Sequence, residues 1–437
     1  MVQSELYRRG LEQLRAGHYD EAKRLFHEHE QQAGTASETQ SMLRQAEGFM
    51  ASGDAASAAS LYEKLLERNP SLPEVYFGLI RLSLFAGDLD AARTHAKAAV
   101  KLAPALGMTW ALQGLVHEAE GDLQGALSHL TKAVELAPSA FLCQFNLGRV
   151  YASLGRPAEG LAPLMQATRL EPRNPAAYYT LGLAYKQAHQ DTSALRAFEQ
   201  ARDLAPKNVD YWATLGDALF SMKKYQAARD TLDQGLARCG DHPALLEKAL
   251  AATMMLSDTP GAIAYIEREL KVVPNHEQGW INLANLLLLQ GDFDKSEQAA
   301  RELLKRNPNN WEAWYHLGNL YEAVPVEKEA EEAYRKAVAL APGNWKPLTN
   351  LAGLLIQMKS KDKNAEAVPL LEKALALVPQ GEWRVHYNLA LAYTRLGQRE
   401  RALELARRIQ REAPPTDAMV QEAKKLESNL LEAAARN

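Results

Sequence analysis

The sequence predicts an all-α fold, an alpha-alpha superhelix of stacked helical hairpins closed by a C-terminal capping helix. Three observations carry this expectation. A helix breaker returns every 34 residues, at Pro70, Pro104, Pro138, Pro172, Pro206, Gly240, Pro274, Pro308 and Pro342, so successive units end on the same stop signal. Small residues return in a fixed register, in the first half of a unit at Gly114, Gly148, Gly182, Gly216, Ala284, Gly318, Ala352 and Ala390, and in the second half at Ala58, Ala92, Ala126, Gly160, Ala194, Ala228, Ala262, Ser296, Ala330, Ala367 and Ala402. No segment alternates apolar and polar residues as a half-buried strand does.

Within a unit, small side chains at matched places let two antiparallel helices approach closely, and a knob from one helix fills the hole left in the other. Large residues such as Trp212, Leu215 and Leu219, or Tyr178, Leu181, Tyr185 and Phe198, occupy the remaining space. The turn between the two helices has its own signature in Gly87-Asp88, Gly121-Asp122, Gly155-Arg156, Gly291-Asp292 and Gly397-Gln398. Glycine accepts the left-handed conformation that ends the first helix, and an acidic residue after it serves the start of the second.

This pattern resembles the tetratricopeptide repeat family, with Trp280, Leu283, Ala284, Leu287, Gly291, Phe293, Ser296, Ala300, Leu303 and Pro308 matching one whole repeat. The resemblance runs from about Ser4 to about Pro414. Read in frame it implies an array over 3–416 of about twelve repeats, at 3–36, 39–72, 73–106, 107–140, 141–174, 175–208, 209–242, 243–276, 277–310, 311–344, 345–381 and 383–416, followed by a capping helix in 417–437. The first repeat is the loosest and ends in Gly34-Thr35-Ala36-Ser37-Glu38 in place of proline. The repeat from Leu246 to Pro274 is atypical, with Leu250 at a usually small place and Ser257-Asp258 in the turn. The charged stretch Lys359 to Asn364 predicts a protruding surface loop. Asp417 to Arg436 reads as one amphipathic helix with Met419, Ala423, Leu426 and Leu430 on one side, which suits a cap on the last repeat.

Composition narrows the function. A net charge of -4 over 437 residues gives no basic surface for nucleic acid. Cys143 and Cys239 fall in non-adjacent repeats and are expected as free thiols. No apolar run approaches the roughly 18 residues of a membrane helix, the longest being Leu286 to Leu289. Met1 to Arg8 has no apolar signal core, so the reading is cytoplasmic, or periplasmic or exported where a signal peptide has been removed. His27 and His29 stand two apart on a helix and diverge, so no metal site is expected there. No phosphate-binding loop or catalytic constellation is present in the sequence, and the expectation is a protein without enzymatic activity or cofactor.

The resemblance implies a concave surface lined by the first helix of each repeat, which in the family takes extended peptides or protein segments. In the earlier repeats the corresponding places hold assorted residues, among them Phe77, Arg81, Phe145, Arg149, Tyr179, Thr180 and Thr214. In the last four they become coherent: Ile281, Asn282 and Asn285, then Glu312, Tyr315, His316 and Asn319, then Lys346, Thr349 and Asn350, then Arg384, Tyr387 and Asn388. Asparagine carries both a donor and an acceptor, so a row of them can pair with a ligand backbone whatever its side chains. Asn319, Asn350 and Arg384 stand where the family's clamp for a peptide C-terminus has its residues, but Tyr315 replaces an expected lysine and Asn388 an expected arginine. An asparagine ladder on a peptide backbone therefore fits better than a carboxylate clamp. Trp311, Trp345 and Trp383 open three successive repeats, each one turn before Tyr315, Thr349 or Tyr387, and suit an aromatic lip along the groove. Two bland alternatives stand beside these readings: asparagines that strut adjacent repeats, and tryptophans that seal the stack. The function expected is a scaffold or adaptor for a protein or peptide partner. The alternative is a targeting or regulatory subunit of a machine such as a glycosyltransferase or polysaccharide export complex. Circular dichroism should show a helix-dominated spectrum with essentially no sheet component, and a substantial strand signal would contradict the repeat reading.

Overall fold

The computed structural model describes residues 5–34 and 36–435; Ser4, Thr35 and Arg436, which the sequence reading included, lie outside them. Among the described residues there are 25 helices and no strand. They form two compact units, Met1–Lys224 and Tyr225–Asn437.

The first unit holds α1 (Glu5–Arg15), α2 (Tyr19–Ala33), α3 (Ala36–Ser52), α4 (Ala55–Arg68), α5 (Pro73–Ala86), α6 (Leu89–Leu102), α7 (Gly107–Ala119), α8 (Leu123–Leu136), α9 (Phe141–Ser153), α10 (Pro157–Leu170), α11 (Pro175–Gln187), α12 (Asp191–Leu204) and α13 (Val209–Ser221). The second holds α14 (Tyr225–Cys239), α15 (Pro243–Met255), α16 (Thr259–Val272), α17 (Glu277–Gln290), α18 (Phe293–Arg306), α19 (Trp311–Ala323), α20 (Glu327–Leu340), α21 (Trp345–Gln357), α22 (Lys361–Leu377), α23 (Trp383–Arg395), α24 (Arg399–Glu412) and α25 (Ala418–Ala435).

Apart from α13, which ends the first unit, and α14, which opens the second, each odd-numbered helix pairs with the even-numbered one after it as an antiparallel hairpin. Odd-numbered helices of neighbouring hairpins also touch, as α5 with α7, α7 with α9, α17 with α19 and α21 with α23, whereas successive even-numbered helices make no comparable contact. The first helices are therefore the more closely spaced row. Helix α25 joins that row by packing on both α23 and α24, with Val420, Ala423, Leu426 and Leu430 buried.

Short polar contacts set the ends of the hairpins. Gly87, Gly121 and Gly291 have φ of 75°, 81° and 84°, and the next residue caps the following helix: Asp88 accepts from Ala91 N at 3.0 Å, Asp122 from Gly125 N at 2.9 Å and Asp292 from Lys295 N at 3.3 Å. His189, Lys223, Ser257 and Lys359 occupy the same turn position at φ of 54° to 60°, a conformation that costs a side chain about 1 kcal/mol or more.

The breakers do more than stop helices. In six hairpins the side chain six residues after the proline donates to that proline's carbonyl: Tyr76 Oη to Pro70 at 2.8 Å, Trp110 Nε1 to Pro104 at 2.7 Å, Gln144 Nε2 to Pro138 at 2.8 Å, Trp212 Nε1 to Pro206 at 2.9 Å, Trp280 Nε1 to Pro274 at 2.8 Å and Trp314 Nε1 to Pro308 at 2.9 Å. Each bond ties a linker to the second turn of the helix that follows it.

Two features depart from the sequence reading. The charged stretch Lys359 to Asn364 is not a protruding loop. Helix α22 starts at Lys361, and Lys363 pairs with Glu331 of α20 at 2.6 Å, so the extra residues lengthen the helix. The first hairpin does not stack only on its sequence neighbour: Leu14 and Tyr19 pack against the cluster of Tyr76, Ile80, Ala96 and Leu102, and Tyr7 Oη donates to the Glu67 carbonyl. Cys143 is a free thiol in the core, where burial raises its pKa to about 11, and Cys239 is half-buried.

Close approach within hairpins follows from the small residues. A Cβ added to Gly318 would lie 2.4 Å from Tyr334 ring carbons, whereas one added to Gly48, exposed in α3, would meet nothing within 4 Å. Gly318→Ala should therefore destabilise the second unit by roughly 1–3 kcal/mol, and Gly48→Ala should stabilise α3 by roughly 0.5–1 kcal/mol. Urea denaturation read with local hydrogen exchange checks the pair, and equal signs for the two variants would refute this account of the packing.

Candidate functional site

Helices α17, α19, α21 and α23 bring the predicted residues into one unit. Asn310 and Asn344 start two of these helices, accepting from Ala313 N at 2.9 Å and from Lys346 N at 3.0 Å. These caps set where Tyr315, Asn319 and Asn350 come round on the helices.

Asn350 bridges two hairpins. Its Nδ2 donates to Tyr315 Oη at 3.0 Å and to Asn319 Oδ1 at 2.8 Å. The same Asn319 oxygen accepts from Tyr334 Oη at 2.8 Å, and Tyr334 also reaches Glu322 Oε2 at 2.8 Å. Glu322 in turn accepts from Gln357 Nε2 of α21 at 3.1 Å. Burial raises the Tyr315 phenol pKa, and the positive charge of Arg384 acts in the opposite direction, which puts that cation within electrostatic reach of the network. Burial and the charge of Glu322 also hold Tyr334 protonated.

Asn350 Oδ1 and the whole amide of Asn388 make no hydrogen bond among the described residues, and Lys346 and Arg384 are exposed without an ion pair. The arrangement presents a carbonyl, an amide and two cations beside a network that holds Asn350 in one orientation.

Other predicted residues are placed differently. His316 is only 2% exposed; its Nδ1 lies 2.7 Å from Asn285 Oδ1 and its Nε2 2.8 Å from Ser296 Oγ, whose hydroxyl also lies 2.8 Å from the Ala284 carbonyl. It is a strut between hairpins and does not line an open face. Ile281 is core, packed with Leu303 and Ala313. Asn282 accepts from Gln278 Nε2 at 2.9 Å within its own helix.

The tryptophans do not form one lip. Trp311 stands with its ring centroid 6.2 Å from that of Tyr315, and Trp345 packs against the core around Tyr334 and Leu348. Trp383 packs on Ala406, Ile409 and Ala413, and Tyr387 is held between that cluster and Met419 of α25. Some earlier places are likewise structural, Arg149 pairing with Glu118 at 2.5 Å and Tyr179 lying 3.4 Å from Thr214 Oγ1.

Ser296, Glu322, Tyr334 and Gln357 belong to these networks and were not singled out as partners from the sequence. One signal was available: serine at a place where only alanine or glycine otherwise fits introduces a hydroxyl that burial requires to be bonded. Leu289, 81% exposed at the end of α17, is a further open apolar residue that a run of four leucines conceals.

Comparison with known proteins agrees on the architecture. Residues 297–420 match the profile of the cytochrome c-type biogenesis protein H TPR domain. Tetratricopeptide repeat profiles match 49–113, 111–177 and 277–310, and that of anaphase-promoting complex, cyclosome, subunit 3 matches 156–235. No curated protein matches the sequence. Among solved structures, yeast Tom70 is similar at 14% identity over 92% of this chain and 98% of that one, with a TM-score of 0.41. A thermophilic TPR protein of Thermus thermophilus is similar at 28% identity, over 42% of this chain and 99% of its own, with a TM-score of 0.38.

The strut through His316 makes stability depend on pH. Burial lowers the ring's pKa from 6.5 to about 4, so the folded state prefers the neutral ring. The stabilisation is complete above pH 6.5 and is lost as the pH falls toward 4, reaching up to about 3 kcal/mol. His316→Gln removes this titration, and its stability relative to the parent should rise over that interval in denaturation curves taken at stepped pH. A difference that stays flat from pH 7 to 4 would show that the ring is not held neutral.

Proposed function

The chain is a tetratricopeptide repeat protein, and so a protein-interaction scaffold; from that premise we propose that its second unit binds an extended segment of a partner protein along α19, α21 and α23, without catalysis. The carrying observation is the contrast within one surface. Asn350 is held by Tyr315 and Asn319, while its own oxygen, the Asn388 amide and the side chains of Lys346 and Arg384 have no partners among the described residues. An amide oriented by bonds on one side and unsatisfied on the other suits a recognition surface, because at that group little ordering is left to be done on binding.

The ligand chemistry follows from these groups. Asn350 Oδ1 accepts from a backbone N–H, Asn388 offers both a donor and an acceptor, and the two unpaired cations favour an acidic side chain or terminus. A backbone grip of this kind tolerates varied side chains while the cations set polarity. A second reading, a targeting subunit within a multi-protein machine, draws on the match of 297–420 to a TPR domain named for cytochrome c-type biogenesis.

Peptides selected from a random display library on the intact chain provide the test. Arg384→Ala with Asn388→Ala should lose roughly two orders of magnitude in affinity by calorimetry, since a charged hydrogen bond contributes about 1.5–3 kcal/mol and a neutral one about 0.5–1.5. The melting curve should stay close to that of the parent, because neither side chain is bonded in the fold. Undiminished binding by a folded double variant would sink the groove assignment.

A further inference from the structure

The first unit shows what a groove on its second helices accepts. Leu14 and Tyr19, on either side of the α1–α2 turn, pack against Tyr76 and Leu102 of the hairpin α5–α6. They share a recess there with Thr94, Lys97 and Ala98 of α6, and Asp20 lines a second recess with Lys101. The same kind of groove recurs six periods later in the second unit, where it is open. Trp280 stands where Tyr76 stands, six residues after its proline, and Gln298, Glu302 and Arg306 of α18 take the places of Thr94, Ala98 and Leu102. They border a groove of about 510 Å³ with Leu270, Leu283 and Leu287 in its lining. Ala299, which also lines it, accounts for the space. The corresponding places hold His95, with its ring centroid 6.2 Å from that of Tyr76, and His129, stacked on Trp110 at 5.7 Å. At Trp280 only Arg306 lies over the ring, 4.9 Å from its centroid, and no second ring fills the place beside the indole.

The second unit also carries the matching turn. Leu288, Gly291, Phe293 and Asp294 repeat Leu14, Gly17, Tyr19 and Asp20 at the same spacing. Phe293 is 40% exposed and Leu289 81%, and Met255, at the place of Leu289 in the preceding hairpin, is exposed too. Large apolar side chains open to water in one turn mark a surface that something covers. Charge is matched as well: Asp294 is exposed, and Lys305, at the place of Lys101, has 71% of its side chain exposed. The turn cannot enter its own groove, because Leu287 and Lys295 on either side of it belong to the groove's wall. Its occupant therefore comes from another chain.

We propose that this groove is a self-association site, filled by the α17–α18 turn of a second copy of this chain, with Phe293 and Leu289 of one copy against Trp280 and Leu270 of the other and Asp294 beside the other's Lys305. The chain itself supplies the precedent, since its first turn lies in the corresponding groove with Tyr19 and Asp20 in the same roles. Turn and groove belong to the same hairpin, so one two-fold axis serves both insertions and the contact closes as a dimer. Burial of the leucine and the phenylalanine supplies affinity, and the charge pair sets the register. The surface uses α16, α17 and α18 and neither the amides nor the cations of the proposed peptide groove.

Sedimentation equilibrium of the intact chain between about 5 and 300 µM should show a monomer passing to twice the chain mass. Leu289→Gln with Phe293→Gln, both exposed in the fold, should weaken association about tenfold or more. Ala299→His, which copies the residue at 95 and 129, should fill the groove and weaken it similarly. Asp294→Lys or Lys305→Asp alone should weaken it about threefold to tenfold, and the two together should restore it to about the parent value. That exchange decides the matter even where Ala299→His does not fold. A monomer throughout the range, a dimer indifferent to the Leu289 and Phe293 changes, or a double reversal as weak as the single ones would each overturn the proposal; the first is the result expected if a different protein fills the groove. Masses that climb past the dimer would overturn it too, since an open chain of copies means that the insertion is not reciprocal.

Discussion

Close contact between the two helices of a hairpin is the constraint on which the rest depends, and where a bulky second-helix side chain lies opposite a glycine it leaves no room for a Cβ at the first helix's small position. Gly148 faces Leu164, Gly182 faces Phe198 and Gly318 faces Tyr334, each with a notional Cβ at or below 2.5 Å from the partner side chain. With the glycine in place, a large side chain of the second helix lies flat on the backbone of the first and becomes fully buried. At Gly318 the consequence extends beyond packing. The ring of Tyr334 on that backbone carries its hydroxyl to Asn319 and Glu322, and through Asn319 to Asn350 of the next hairpin. The orientation of the proposed recognition amide thus rests on the absence of one methyl group.

The architecture was legible because its signals repeat. A breaker at constant spacing and small residues in register identify hairpins without reference to any distant contact, since hairpins are bound chiefly by their neighbours. The misreadings arise where a local signal had two outcomes. Lys361-Asp362-Lys363 looks like loop by composition, but an acidic residue in a first turn and a lysine reaching Glu331 make it a helix start. The docking of Tyr19 near Tyr76 has no local signal at all, because it joins hairpins that are not consecutive.

Site residues were legible by type and place but not by direction. Asn285, Asn319, Asn350 and Asn388 all stand on first helices, yet what each amide does depends on which side chains of its own and the neighbouring hairpin lie beside it. Ser296 and Asn285 engage His316, Tyr334 engages Asn319, and nothing engages Asn388. Struts and recognition groups are therefore not competing accounts of one ladder. The struts, satisfied and buried, set the geometry; the partly exposed amide and the free cations are left with bonding capacity.

Repetition also makes exceptions informative. When a contact recurs in six hairpins, the sequence change that removes it from a seventh identifies what the local environment was built to hold. One extra residue between Pro379 and His386 withdraws the carbonyl and leaves His386 Nδ1 buried without a hydrogen bond among the described residues. A desolvated group of this kind costs about 1–3 kcal/mol when unsatisfied, and an alanine or leucine at that place would avoid the cost. A solenoid whose stability is distributed along its length tolerates such a local deficit in one hairpin without losing the array. The same property that makes the fold easy to read, near independence of its hairpins, is what permits one of them to keep an unsatisfied polar group.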